Sequence, residues 1–273
     1  MIMLAGLYFT DEWLESFLIF SIGLFVASAF LLYLLIIRSR NNKIKKDKQR
    51  IEYDQFIEKI LFSVVFNEAT FSSLKADKEF IILLKKVFFR EVLMESIINL
   101  HKNYDGLYAE KLEQFYRDSG LINDSLKKIQ SHRWEIQCKG INELAELNIE
   151  DAFDKIIQLA ATTNVTLKIT ALSASIKLGG SKGVKHLIQQ TDPIDNWMQV
   201  NIIAAFKKHN IDSIEGIELL LKSVNQTVVL LGLKLIKELK LTQKVVFVQK
   251  LVAETGSKEL QLEAQNVVKA LTV

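Results

Sequence analysis

Proline is almost missing from this chain. Pro193 stands alone among 273 residues, where average usage of about 5% would give roughly 14. That excludes collagen-like, Pro-rich and mucin-like classes and argues against a loop-rich β-sandwich. Cysteine is equally scarce: Cys138 alone rules out a disulfide framework and a cysteine zinc site. Eleven glycines are few, and none forms the G-x-G-x-x-G or G-x-x-x-x-G-K-[ST] run that cradles phosphates. The four histidines, His101, His132, His186 and His209, form no H-x₃-H or H-E-x-x-H pair, so no metal or cofactor is expected. There is no G-x-S-x-G either. On a polar helix face such histidines are expected to be solvated. Cys138 is expected to pack in the core, since a nucleophile would need an exposed, low-pKa thiolate.

Charge is absent from one long run. Phe17–Ile37 reads FLIFSIGLFVASAFLLYLLII, 21 residues without a charged side chain, enough for a helix to cross the hydrocarbon core. A cleaved signal peptide would want a positive n-region, yet Asp11, Glu12 and Glu15 precede the run and no Lys or Arg does. Directly after it come Arg38, Arg40, Lys43, Lys45, Lys46, Lys48 and Arg50, against Asp47 alone. The positive-inside rule therefore puts residues 1–16 outside as a short tail, 17–37 in the bilayer, and 38–273 in the cytoplasm. The basic stretch 38–50 also suits anionic lipid headgroups. The whole-chain charge of +3 arises here. Residues 1–37 carry −3, residues 38–50 carry +6, and 51–273 hold 28 basic and 28 acidic side chains.

From Ile51 apolar residues recur at helical spacing: Tyr53, Phe56, Ile57, Ile60, Leu61, Val64 and Val65. No Gly or Pro interrupts 38–50, so this helix can continue from the membrane span. A break is expected at 67–76, followed by a helix capped by Asp77 and running as one element over Phe80–Leu100. Further helices are predicted at 107–118, stopped by Ser119-Gly120, and at 123–130. Thirteen of the 16 phenylalanines lie at or before Phe115, and this composition shift sets off an amphipathic segment 51–130 from the remainder.

The remainder repeats. Segments 134–147, 167–179, 197–210, 228–241 and 260–273 superimpose, with a compact residue at Cys138, Ala171, Asn201, Gly232 and Ala264, in steps of 33, 30, 31 and 32. Trp134, Leu167, Trp197, Val228 and Leu260 precede it by four. Ile141, Ala174, Ala204, Leu235 and Val267 follow by three, giving one predicted buried face. Ser131, Asn164, Asp192 and Ser257 are cap-type residues ahead of these helices, with Pro193 expected at the first helical position. A second helix set opens at Asn148, Ser181, Asp212 and Thr242.

This pattern over 131–273 resembles bacterial HEAT-like repeats, and its period near 31 is closest to the phycobilisome-lyase type. Residues 100–148 are similar to the linker and first repeat of membrane-anchored HEAT-repeat proteins of Bacteroidetes-type bacteria. The resemblance implies an all-α chain: one N-terminal transmembrane helix, a helical segment and an α-solenoid, without the Asp/Arg ladder of many such arrays. It implies no reaction. In HEAT-like folds the second helix set lines the concave face, here through Asp154, Lys155, Lys185, Gln189, Glu215, Lys222, Lys244 and Lys250. Lys182, Lys185 and His186 are followed by Asp212, Glu215 and Glu218, which breaks any basic stripe, so nucleic acid is not an expected partner. The expected function is a membrane-tethered scaffold or adaptor for a protein partner, most naturally a membrane protein, and not an enzyme. A lyase-like HEAT enzyme and a structural subunit of a membrane complex are the alternatives.

Overall fold

The computed structural model describes residues 3–189, 192–208 and 215–272. The expected helix start at Asp212 and the side chain of His209 lie outside them. All described elements are helical. The chain divides into two compact units, residues 1–59 and 60–273.

Helix α1 runs unbroken over Met3–Phe66. Its length follows from composition: between Gly23 and Phe66 there is neither glycine nor proline, and the basic run consists largely of Lys, Arg and Gln, all good helix formers. Residues 3–16, read from sequence as a tail, belong to the same helix. Along 13–37 the large apolar side chains stand exposed, Phe25 at 74% and Ile36 at 65%. This stretch is long and apolar enough to cross a membrane, and none of it is covered by protein. Its two mid-span serines are satisfied within the helix, Ser21 Oγ donating to the Phe17 carbonyl and Ser28 Oγ to that of Phe25, each at 2.8 Å. That is what an apolar environment requires of a polar group.

In the second unit, α1 ends at Phe66 and the expected break follows, holding only the one-turn helix α2 (Phe71–Leu74). Asp77 caps α3 (Lys78–Leu84), accepting from the Glu79 and Phe80 amides at 2.8 and 3.1 Å. The single helix expected over 80–100 is two. Lys86 is extended (φ −84°, ψ 124°), and α4 covers Val87–His101. No local breaker signals this. The bend instead brings Phe80 against Phe89, centroids 6.3 Å apart and nearly perpendicular, and leaves Val87 74% exposed. Helices α5 (Leu107–Asp118) and α6 (Leu121–Ile129) flank Gly120, whose φ of +75° is the left-handed conformation that glycine adopts without a Cβ penalty. Phe71, Phe80, Phe89 and Phe115 meet edge-on or tilted at 6.2–6.4 Å. Four of the phenylalanines of the Phe-rich half thus form the aromatic core of this segment.

Each segment of the repeated pattern forms a helix: α7 (Trp134–Glu146), α9 (Val165–Gly179), α11 (Asn196–Lys208), α12 (Gln226–Glu238) and α14 (Lys258–Thr272). Between them lie α8 (Phe153–Gln158) flanked by 3₁₀ turns, α10 (Ser181–Ile188), a 3₁₀ helix over Ile217–Lys222, and α13 (Val245–Glu254). Consecutive first-set helices pack in chain order, α7 on α9, α9 on α11, α11 on α12 and α12 on α14, while α10 packs on Ile217–Lys222. Helix α6 packs on α7, so residue 130 does not divide compact units.

The buried face matches expectation at Ala171, Val228, Gly232, Leu235, Leu260, Ala264 and Val267, and differs at α11. There Gln199, Ile202 and Phe206 point inward, while Trp197 is 59% exposed. The helix is turned away from the expected face. Trp134 is likewise 40% exposed. Pro193 is not the first helical residue. Helix α11 starts at Asn196, and Asp195 accepts from the Met198 amide at 2.7 Å as its cap. Where α12 meets the 3₁₀ helix over Ile217–Lys222, only a hydrogen fits: a Cβ on Gly232 would lie 2.8 Å from Leu220 Cβ.

Candidate interaction face

The helix entrances share a construction that the sequence pattern had not disclosed. A hydroxyl two residues ahead of the cap position accepts that residue's amide. Ser131 accepts from Arg133, Thr162 from Asn164, Ser223 from Asn225 and Thr255 from Ser257, at 3.2–3.3 Å. The hydroxyl positions are 31, 61 and 32 residues apart. The gap, where one more would fall, is the stretch holding Pro193. A Ser or Thr two positions before each cap was the signal to look for.

Exits repeat as well. Asn148 (φ +49°), Gly180 (φ +49°) and Lys240 (φ +52°) follow α7, α9 and α12. Ile149 and Leu241 then donate backward to the Leu144 and Ile236 carbonyls at 3.0 Å, closing the helix ends.

Side-chain amides and hydroxyls, not an Asp/Arg ladder, tie α12 to the segment before α11. Asn225 Nδ2 donates to the Asp192 carbonyl (2.9 Å), and the Ile194 amide donates to Thr227 Oγ1 (2.8 Å). Buried Gln199 donates to the Ile194 carbonyl (2.9 Å) and accepts from Lys234 Nζ (2.8 Å). Charges are buried on α7. Glu143 takes both Ser125 Oγ (2.5 Å) and Lys128 Nζ (2.6 Å), and Glu146 takes Lys177 Nζ at 3.0 Å. Removing one partner of such a group leaves a buried charge uncompensated. The adjacent Tyr116 hydroxyl is buried without a hydrogen-bond partner. Burial, against a weaker opposing effect of Ser125, drives its pKa far above the ordinary value.

The eight residues read as a partner-binding face fall into two groups. Asp154, Lys155, Lys185, Gln189, Glu215 and Lys222 are exposed, and none has a side-chain partner among the described residues. Lys250 pairs with Glu254 along α13 at 3.7 Å. Lys244 is structural: half-buried, it sits 2.7 Å from Glu218 and over the Phe247 ring. Burial pulls the Glu218 carboxyl upward, but the Lys244 ammonium together with backbone hydrogen bonds at Glu218 and Gly216 outweighs it and holds the group below the usual carboxylate range. Gln189 also lines a groove of about 750 Å³, with Thr163, Lys168, His186 and Asp192 around it. Lys168 and Asp192 stand 3.7 Å apart there.

The basic residues Arg38, Arg40, Lys43, Lys45, Lys46 and Lys48 are exposed along α1, and Arg50 lies 3.8 Å from Asp54. His132 and His186 are exposed as expected. His101 is not: it is 9% exposed and bonds Glu113 Oε1 at 2.8 Å, an oxygen that also accepts from Asn148 at 3.1 Å. Cys138 is half-buried instead of fully in the core, and burial pushes its thiol pKa up, away from nucleophilic use. Among the described residues no three His, Cys, Asp or Glu side chains converge as a metal site would need.

No family model matches the chain, and no curated protein does. A crystal structure of an engineered protein from the Northeast Structural Genomics Consortium aligns with 70% of this chain and 95% of its own, at 18% identity and a TM-score of 0.31. A likeness that slight assigns no fold.

Proposed function

We propose that this is a single-pass protein of the bacterial inner (cytoplasmic) membrane. Its N-terminus lies outside and residues 38–273 lie in the cytoplasm, where 131–273 form a HEAT-like solenoid acting as a scaffold or adaptor for a membrane-protein partner. The exposed apolar stretch of α1 and the basic side chains that follow it support the anchor and its orientation. The helix entrances recurring at a period near 31, with neighbour-on-neighbour packing, support a repeat array, since one helix pair cannot bury its apolar face alone. Tethering raises the local concentration of the array around other membrane proteins and strengthens individually weak contacts.

The observation that carries the binding role is the six exposed side chains of the second helix set that have no side-chain partner among the described residues. Co-purification from crosslinked membranes tests it. Three proteins are compared: the full chain, one lacking 131–273, and one with Asp154, Lys155, Lys185, Gln189, Glu215 and Lys222 changed to alanine. One reproducible membrane protein, captured by the full chain and lost from both variants, is expected. The same partner retained by both overturns the reading.

A further inference from the structure

Four aromatic rings form an exposed shelf in the 60–273 unit. Phe62 and Phe66 near the end of α1 have centroids 4.9 Å apart, and Phe66 contacts Tyr104 at 6.0 Å and Tyr108 at 5.6 Å. Phe62 is 56% exposed, Phe66 45% and Tyr108 40%, with Leu107 beside them at 63%. The structure leaves Phe62, Phe66 and Tyr108 in water, although Phe80, Phe89 and Phe115 of the same unit are fully packed. Clustered, exposed aromatics of this kind are the usual anchors of interfaces.

Tyr104 belongs to the shelf and also lines a cleft of about 400 Å³. Asp105, Glu110 and Glu150 stand on that cleft, exposed and without an ion-pair partner among the described residues. Of the other side chains that line it, Lys177 is committed to Glu146, and His101 and Glu113 bond each other. The rings already hold one cation: Lys111 Nζ lies 6.0 Å from the Tyr108 centroid and donates to the Val65 carbonyl. Ring faces attract cations, arginine above all, and unpaired carboxylates at their edge add Coulomb attraction of the same sign.

We infer that this shelf and cleft dock an Arg- and Lys-bearing segment of a partner protein, its guanidinium groups stacked on the rings and paired with Asp105, Glu110 and Glu150. The inference rests on the proposal above for its source of such segments, because cytoplasmic loops of membrane proteins are rich in Lys and Arg.

The full chain in nanodiscs of zwitterionic phosphatidylcholine tests it, titrated with a synthetic peptide of six arginines spaced by leucines and with its glutamate counterpart. Binding of the arginine peptide alone is expected. Asp105→Asn, Glu110→Gln and Glu150→Gln together should weaken it at least tenfold, and Tyr108→Leu about threefold. Glu135→Gln, Glu254→Gln and Glu259→Gln together, neutralising exposed carboxylates elsewhere, should leave it unchanged. Raising salt to 0.5 M should weaken binding to the native chain and barely affect the first triple variant. Equal affinities of the two triple variants, or equal binding of both peptides, overturn the inference. A chain that captures its membrane partner through 131–273 but ignores the arginine peptide refutes the docking site and leaves the scaffold reading standing. Peptide binding without any membrane partner does the reverse.

Discussion

Lys240 holds φ at +52° where Gly180 occupies the corresponding helix exit. A left-handed conformation costs an L-residue about 1–2 kcal/mol, partly offset in glycine by unfolded-state entropy of about 0.4–1 kcal/mol. Lys240→Gly should therefore raise unfolding free energy by roughly 0.5–1 kcal/mol, read from denaturant titration. Glu218 gives a signed pH effect. Its carboxyl is held below the ordinary 4.5 by Lys244, so its contribution is present above that pH and lost as pH falls through the lowered value. Lys244→Met should flatten the stability-against-pH curve below pH 4.5, while Lys250→Met, which touches only an exposed i,i+4 pair, should not. Individual core residues were legible beforehand because apolar spacing is itself the cause of burial: Ile57, Leu61, Val64, Ala171 and Leu235 were all expected and all lie inside. His101 was not legible, because the carboxylate that buries it lies twelve residues away on another helix.

Helices were located well where local chemistry ends them. Ser119-Gly120 stops α5 at Asp118, and Asp77 opens α3. Where packing alone decides, sequence was silent: nothing in Leu84-Lys85-Lys86-Val87 announces the bend between α3 and α4, and the turn of α11 that exposes Trp197 follows from which neighbours it meets. Caps differ in what they hold. Asn164 accepts one amide of its own helix, whereas Asn225 also bonds the Asp192 carbonyl. A cap alone costs about 1 kcal/mol on replacement by alanine. Asn225→Ala should therefore destabilise by about 1 kcal/mol more than Asn164→Ala, since a further hydrogen bond is lost as well. Thermal unfolding of the two variants side by side checks this.

At the scale of the whole chain, the positive charge belongs to the membrane flank and the 51–273 segment is neutral. Topology is the corresponding prediction. A C-terminal fluorescent reporter that matures only in the cytoplasm should be bright, and a periplasmic phosphatase fused there should be inactive. Changing Arg38, Arg40, Lys43, Lys45, Lys46, Lys48 and Arg50 to glutamine should reverse or scramble both signals. The candidate interface was only half legible. The second-set face came only with the resemblance to HEAT-like folds, and the aromatic shelf joins residues 62 and 66 to 104 and 108 across three intervening helices, which no local spacing encodes.

The hydrogen bonds that moor Asp192 and Ile194 to Asn225 and Thr227 have a temporal consequence. The partners are 33 residues apart in the chain. At a synthesis rate of about 5–20 residues per second, the earlier residues wait roughly 2–7 seconds on the ribosome for the later ones. The approach to α11, which carries the chain's lone proline in place of the usual hydroxyl, is thus completed from downstream, and a nascent chain halted before residue 225 should be most open to protease there.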